Sequence, residues 1–165
     1  MLPPNTLPAL AGRNPFTGHP MTRTPDPDDQ PQFYDGVPTK RLLAWLVDMV
    51  LIIGACLLLL PFTAFTGLFF FPLMMLVVGY AYRVVTLANG SATLGMRLMA
   101  IELRDARDRP LDLGMAVLHT SGYAVSWSMP FLQLASVVLM CTTARRQGLT
   151  DLLLGTVALN RRARS

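Results

Sequence analysis

Two long apolar runs dominate the chain. From Leu42 to Leu60 the only charged residue is Asp48, and from Pro61 to Tyr82 there is none. A run of about 20 apolar residues is what a bilayer core of about 30 Å requires of a helix. The pattern therefore predicts transmembrane helices over about 41–61 and 68–86, joined by a short turn at Pro61 to Gly67. Thr39 is the predicted N-cap of the first helix. Pro72 falls in the first turns of the second, where a span tolerates it. Trp45, Tyr80 and Tyr82 stand near the span ends, as interfacial anchors do.

The rest of the chain is read around these runs. Residues 89–112 form a polar loop, with partial alternation over Leu98 to Arg104 that predicts a short strand turning back at Asp105 to Arg109. A third apolar segment, 113–143, carries His119, Ser121, Gly122, Ser126, Ser128 and Pro130. Two readings of it stay open: one tilted span, or two pieces divided at Pro130 that enter and leave on the same side. Residues 149–159 are too few to span and are read as a short interfacial helix, before a basic tail, 161–165. Residues 1–38 hold nine of the thirteen prolines and no hydrophobic period, so they are read as a disordered, Pro-rich cytoplasmic tail.

Composition sharpens the membrane reading. Apolar residues make up 52% and charged residues 15%, against roughly a quarter charged in soluble domains. The net charge of +4 comes from Arg residues beside the apolar runs, without the interleaved aromatics of a nucleic-acid surface. Cys56 and Cys141 lie in apolar segments, so neither a disulfide framework nor a metal site is expected. The first apolar run begins about forty residues in and reads as retained, not as a cleaved signal. Lys40 and Arg41 precede the first span and five Arg lie from Arg83 to Arg109, which puts both regions in the cytoplasm. The tail after Thr143 is as basic, which favours the in-and-out third segment.

Three stretches in this order resemble the RDD family of bacterial membrane proteins, named for one Arg and two Asp. The first runs from Lys40 and Arg41 through Ala44 to Asp48. The second runs from Gly90 through Thr93, Gly95 and Met96 to Arg97. The third runs from Arg145 and Arg146 through Gly148 and Thr150 to Asp151, followed by Gly155, Thr156 and Val157. Met96 stands where the family usually has Lys, and Thr150 where it usually has His. The resemblance covers about 38–160 and implies a small all-α polytopic transmembrane bundle, 39–160, in a bacterial inner membrane. It also implies transport of unidentified ligands, the reading generally attached to the family.

The signature set Arg41, Asp48 and Asp151 supports two interpretations. A charge inside a span needs a partner, so all three can be clamps between helices. Helical side chains lean toward the N-terminus, so Arg41 leans away from Asp48. Asp151 is then the expected partner of Arg41, and Arg83, the third-segment hydroxyls or His119 the expected partners of Asp48. The other interpretation makes Asp48 a cation or proton site with His119 beside it, and Thr93, Gly95 and Arg97 an anion-binding loop. No nucleophile, base and orienting group converge, so no enzyme and no cofactor is expected. Two or three spans are few for a complete pathway, so a homo-oligomer or a larger membrane partner is expected beside the lipid bilayer.

Overall fold

The computed structural model describes Thr24 to Arg161. The first helix, α1, spans Val37–Leu59. Gly36, in the left-handed region at φ 65, turns the chain into it, and its carbonyl accepts from Lys40 N at 2.9 Å. The helix thus starts ahead of Thr39. Pro38 sits in the first turn, where its missing N–H costs nothing. At roughly 1.5 Å per residue, its 23 residues make about 34 Å. Two short 3-10 turns, Pro61–Thr63 and Thr66–Leu68, return the chain. Helix α2 then runs Phe71–Gly90, ending four residues later than its pattern predicts because Val85 to Gly90 continue the helix beyond the apolar run.

These two helices are long and apolar enough to cross a membrane. Their outward faces are apolar along their length, with Leu58 74% exposed and Leu73, Leu76 and Val77 also exposed. Water would not tolerate a patch of that extent on a monomer, whereas lipid is its natural solvent. The protein is a membrane protein.

The third apolar segment is two helices, α4 (Leu113–Ser128) and α5 (Pro130–Thr142), whose axes turn by 117° between them. Pro130 causes the break. Its ring disfavours a helical residue before it, and Met129 is extended at φ −122, ψ 101. The single tilted helix is thereby excluded for this segment.

Between α2 and α4 lie a five-residue helix α3 (Leu94–Leu98) and strand β1 (Ile101–Arg104). The predicted turn follows, with the Asp105 carboxylate accepting from the backbone N–H of Arg107 and Arg109 at 2.9 and 2.7 Å. Yet β1 does not pair with the residues after that turn. It pairs antiparallel with β2 (Val157–Asn160), in the register Ile101↔Asn160 to Arg104↔Val157. Hence the predicted helix 149–159 is corrected: helix α6 spans only Leu149–Leu154, Gly155 turns at φ 66, and the strand begins at Val157. The fold is mostly helical with this one small sheet.

The predicted tail is also corrected in part. Residues 1–23 lie outside the described residues. From Thr24 on the chain packs back: Tyr34 is buried against Val157 and Leu159, and its hydroxyl donates to the Pro25 carbonyl at 2.7 Å. The dry core lies at this end of the bundle, where Val37, Ala44, Leu87, Met96, Ile101 and Leu103 pack together. The start of α1, the end of α2 and the start of α4 meet there with α3 and β1.

Candidate functional site

Asp48 projects from the fourth turn of α1 toward α3 and is 2% exposed. Its Oδ1 accepts from Tyr82 Oη at 2.6 Å and from Gly95 N at 2.8 Å, and its Oδ2 accepts from Thr93 Oγ1 at 2.6 Å. Thr93 is at the same time the N-cap of α3, accepting from Met96 N. Tyr82 Oη in turn accepts from Leu94 N at 3.0 Å. One carboxylate therefore gathers α1, α2 and the start of α3. Its donors are neutral, and neither Arg83, His119 nor a third-segment hydroxyl is among its hydrogen-bond partners, contrary to the expectation from sequence. One of the two interpretations of the sequence made Thr93 and Gly95 part of an anion-binding loop. The anion they hold is the protein's own Asp48.

That contact depends on close backbone approach. A Cβ on Gly95 would stand 2.1 Å from the Ala44 carbonyl oxygen and 2.8 Å from Asp48 Oδ1. Only glycine lets α3 lie against α1 here.

Arg41, about two turns earlier on α1, goes elsewhere. Its guanidinium donates to Asp151 Oδ2, while Asp151 Oδ1 meets His119 Nε2 at 2.9 Å and accepts from Thr156 Oγ1 at 3.0 Å. Gly148 N donates to Oδ2 at 3.0 Å, closing the start of α6. Asp151 is 0% exposed. Burial alone would raise its carboxyl, but the Arg41 charge and the hydrogen bond and charge of His119 outweigh it and hold it far below the usual carboxylate range. This second clamp joins α1, α4 and α6.

Arg83, expected near Asp48, lies over the Tyr123 ring with its guanidinium carbon 3.9 Å from the centroid. Tyr123 Oη accepts from Trp45 Nε1 at 2.9 Å, and Trp45 stacks on Trp127 at 6.3 Å between centroids. Trp45 and Tyr82 thus hold helices together besides standing near span ends, and Tyr80 Oη bonds Ser121 Oγ at 2.9 Å. Arg97 folds back to the Ala92 carbonyl through Nε at 3.3 Å. It does not reach Asp48. Tyr82, Tyr123 and Thr156 are the participants that sequence reasoning missed as polar contacts. For the tyrosines the only signal was a polar atom on a span residue. Thr156 stood inside the third quoted stretch.

Between α1, α4, α5 and α6 these contacts frame a cavity of about 560 Å³. Arg41, Asp48, Arg83, His119, Gln133 and Ser136 are among its walls. A second space of about 390 Å³ between α1, α2 and α4 is mainly apolar, with Met49, Ile52, Met75 and Leu76 in its lining.

The sequence model of the RDD family matches residues 36–155. That range holds both clamps, save Thr156, and the residues that frame the larger cavity. No curated protein and no solved structure matches the chain.

Proposed function

The chain belongs to the RDD family, and on that premise we propose that it is a multi-pass protein of a bacterial inner membrane that takes part in moving a small ion or solute. In this reading the solute occupies the cavity framed by α1, α4, α5 and α6, and Arg41, Asp48 and Asp151 are the clamps that keep its walls in place. The observation that carries it is the saturation of Asp48. Three donors at 2.6 to 2.8 Å occupy a carboxylate that is 2% exposed, so a travelling cation would have to displace them. The cavity, by contrast, has open volume and several polar walls. With two full spans the pathway is completed by a second copy or a larger partner.

Asp48→Asn tests the assignment. An amide offers one acceptor oxygen where three donors converge and turns an N–H toward one of them, a loss of about 2–3 kcal/mol. The expected result is a several-fold fall in folded protein in the membrane, with flux per remaining molecule unchanged in vesicles offered a panel of ions and organic anions. Unchanged abundance with flux abolished would make Asp48 the transport site itself. Flux absent even from the unaltered protein would leave the alternative, an assembly protein whose polar residues only lock helices.

We further propose that both ends of the bundle's polar layer face the cytoplasm. The Arg content of 83–109 and the convergence of β1, β2, Lys40 and Asn160 support this, Lys40 Nζ donating to Asn160 Oδ1 at 2.7 Å. A cysteine placed at Ser165, in a background with Cys141→Ser, should resist an impermeant maleimide in intact cells and react after lysis. Labelling from outside would overturn the topology.

A further inference from the structure

Among the ionisable residues framing the cavity, one is left without an acceptor. Arg41, Asp48 and Asp151 have hydrogen-bonded partners, but Arg83 has neither an acceptor nor an acidic partner among the described residues, only the Tyr123 ring beneath it. It stands seven residues before the end of α2, about 10 Å into the helix from that end. An arginine inside a span normally finds a counter-charge or carbonyls. A second group on the same cavity is also unsatisfied. His119, 4% exposed, uses Nε2 on Asp151, and its Nδ1 has no hydrogen-bond partner among the described residues. Because an ionised Asp151 only accepts, Nε2 carries a proton toward it, and Nδ1 is the one polar atom of the ring without a partner. His119 and Tyr123, four residues apart, share one face of α4.

The two cavities have Arg83, Tyr123 and Trp127 in common. One is mainly apolar and includes another buried hydroxyl without a partner, Thr120 Oγ1. The other is polar. A water-soluble ion would fill only the second.

Resting on the reading of the larger cavity as a solute site, we propose that the solute is an anionic amphiphile. An oxyanion head lies against Arg83, with His119 on the neighbouring wall, and an acyl chain occupies the space lined by Met49, Ile52, Met75 and Leu76. A phosphate monoester such as phosphatidate has this chemistry: anionic oxygens for the guanidinium fork, and a chain. It also relaxes the demand on the protein, since only the head needs a polar route while the chain stays in apolar surroundings.

The experiment uses the full chain in phosphatidylcholine vesicles doped with either brominated-chain phosphatidate or brominated-chain phosphatidylcholine. Its two tryptophans, Trp45 and Trp127, both line the polar cavity and report bromine contact by quenching. Phosphatidate should quench at least about five-fold more strongly at equal mole fraction, and millimolar inorganic phosphate should not compete. Arg83→Gln should remove the preference, a loss of about ten-fold or more in relative affinity for a charge-assisted contact. Arg83→Lys should retain much of it, and Ala124→Leu, which intrudes on the apolar space, should weaken it with Arg83 intact. Those two variants keep the test decisive if Arg83→Gln fails to fold. Equal quenching by the two lipids, or a preference unaffected by both Arg83→Gln and Ala124→Leu, overturns the proposal. Competition by inorganic phosphate overturns the amphiphile and leaves a free oxyanion as the solute. Loss of the lipid preference with vesicle flux intact sinks this inference alone, whereas a persisting preference without flux sinks only the transport reading.

Discussion

Replacing Asp151 by Asn should remove most folded protein from the membrane, the largest loss expected of any single polar substitution here. The Asp151 carboxylate accepts from Arg41, Thr156 and Gly148 and bonds His119, and it is wholly buried. An amide keeps the shape but takes away the charge that neutralises Arg41. Leaving a buried charge uncompensated costs about 3–5 kcal/mol, a large share of the roughly 5–15 kcal/mol that folded proteins usually possess. The amount of monodisperse protein after detergent extraction measures it, and near wild-type recovery would refute the clamp. Acid gives a second readout. The folded carboxyl lies below its unfolded value of about 3.9. Its contribution is therefore fully present above about pH 4 and is lost as pH falls through the depressed folded value. Melting temperature should not drop on this account between pH 8 and 5. Asp151→Asn should flatten whatever decline the unaltered protein shows below pH 4.

Gly95→Ala should be nearly as damaging for a different reason. The added methyl would sit 2.1 Å from a main-chain oxygen of α1, and backbone on both sides cannot step aside as a side-chain tip can. Either α3 lifts from α1 or the Asp48 bonds to Gly95 N and Thr93 break together. Overpacking of this kind costs about 1–3 kcal/mol, and each charge-assisted bond lost adds about 1.5–3 kcal/mol. The expected outcome is a melting temperature depressed by ten degrees or more in detergent, or no recoverable protein. Ala92→Gly, close by but outside both clamps, is the control. Equal stability of Gly95→Ala and the unaltered chain would mean that α3 does not dock as described.

The spans were legible because lipid imposes one rule on every residue that faces it, and a run of uncharged residues cannot satisfy another environment. The separate destinations of Arg41 and Asp48 were legible too, from side-chain direction along a helix. What Asp48 meets was not. Its partners are a tyrosine read as an interfacial anchor, the hydroxyl of Thr93 and a glycine amide, and a backbone N–H leaves no mark on a sequence. The misreading of 149–159 has a similar cause. Val157 to Asn160 pair with Ile101 to Arg104 across more than fifty residues, and short apolar stretches fit strand and helix periods equally until the neighbour is known. Pro130, in contrast, acts locally, which is why a break there was anticipated as one of two readings.

The two clamps also differ in when they can close. Asp48 finds its donors 34 to 47 residues further along the chain, whereas Arg41 meets its acceptor only 110 residues on. Between the synthesis of Gly95 and that of Asp151 lie 56 residues (151 − 95), about 3–11 s at roughly 5–20 residues per second. During that interval the first two spans can already be fastened by Asp48 while Arg41 still lacks its carboxylate. Arg41 therefore enters the membrane with the first span well before the carboxylate that neutralises it has been made.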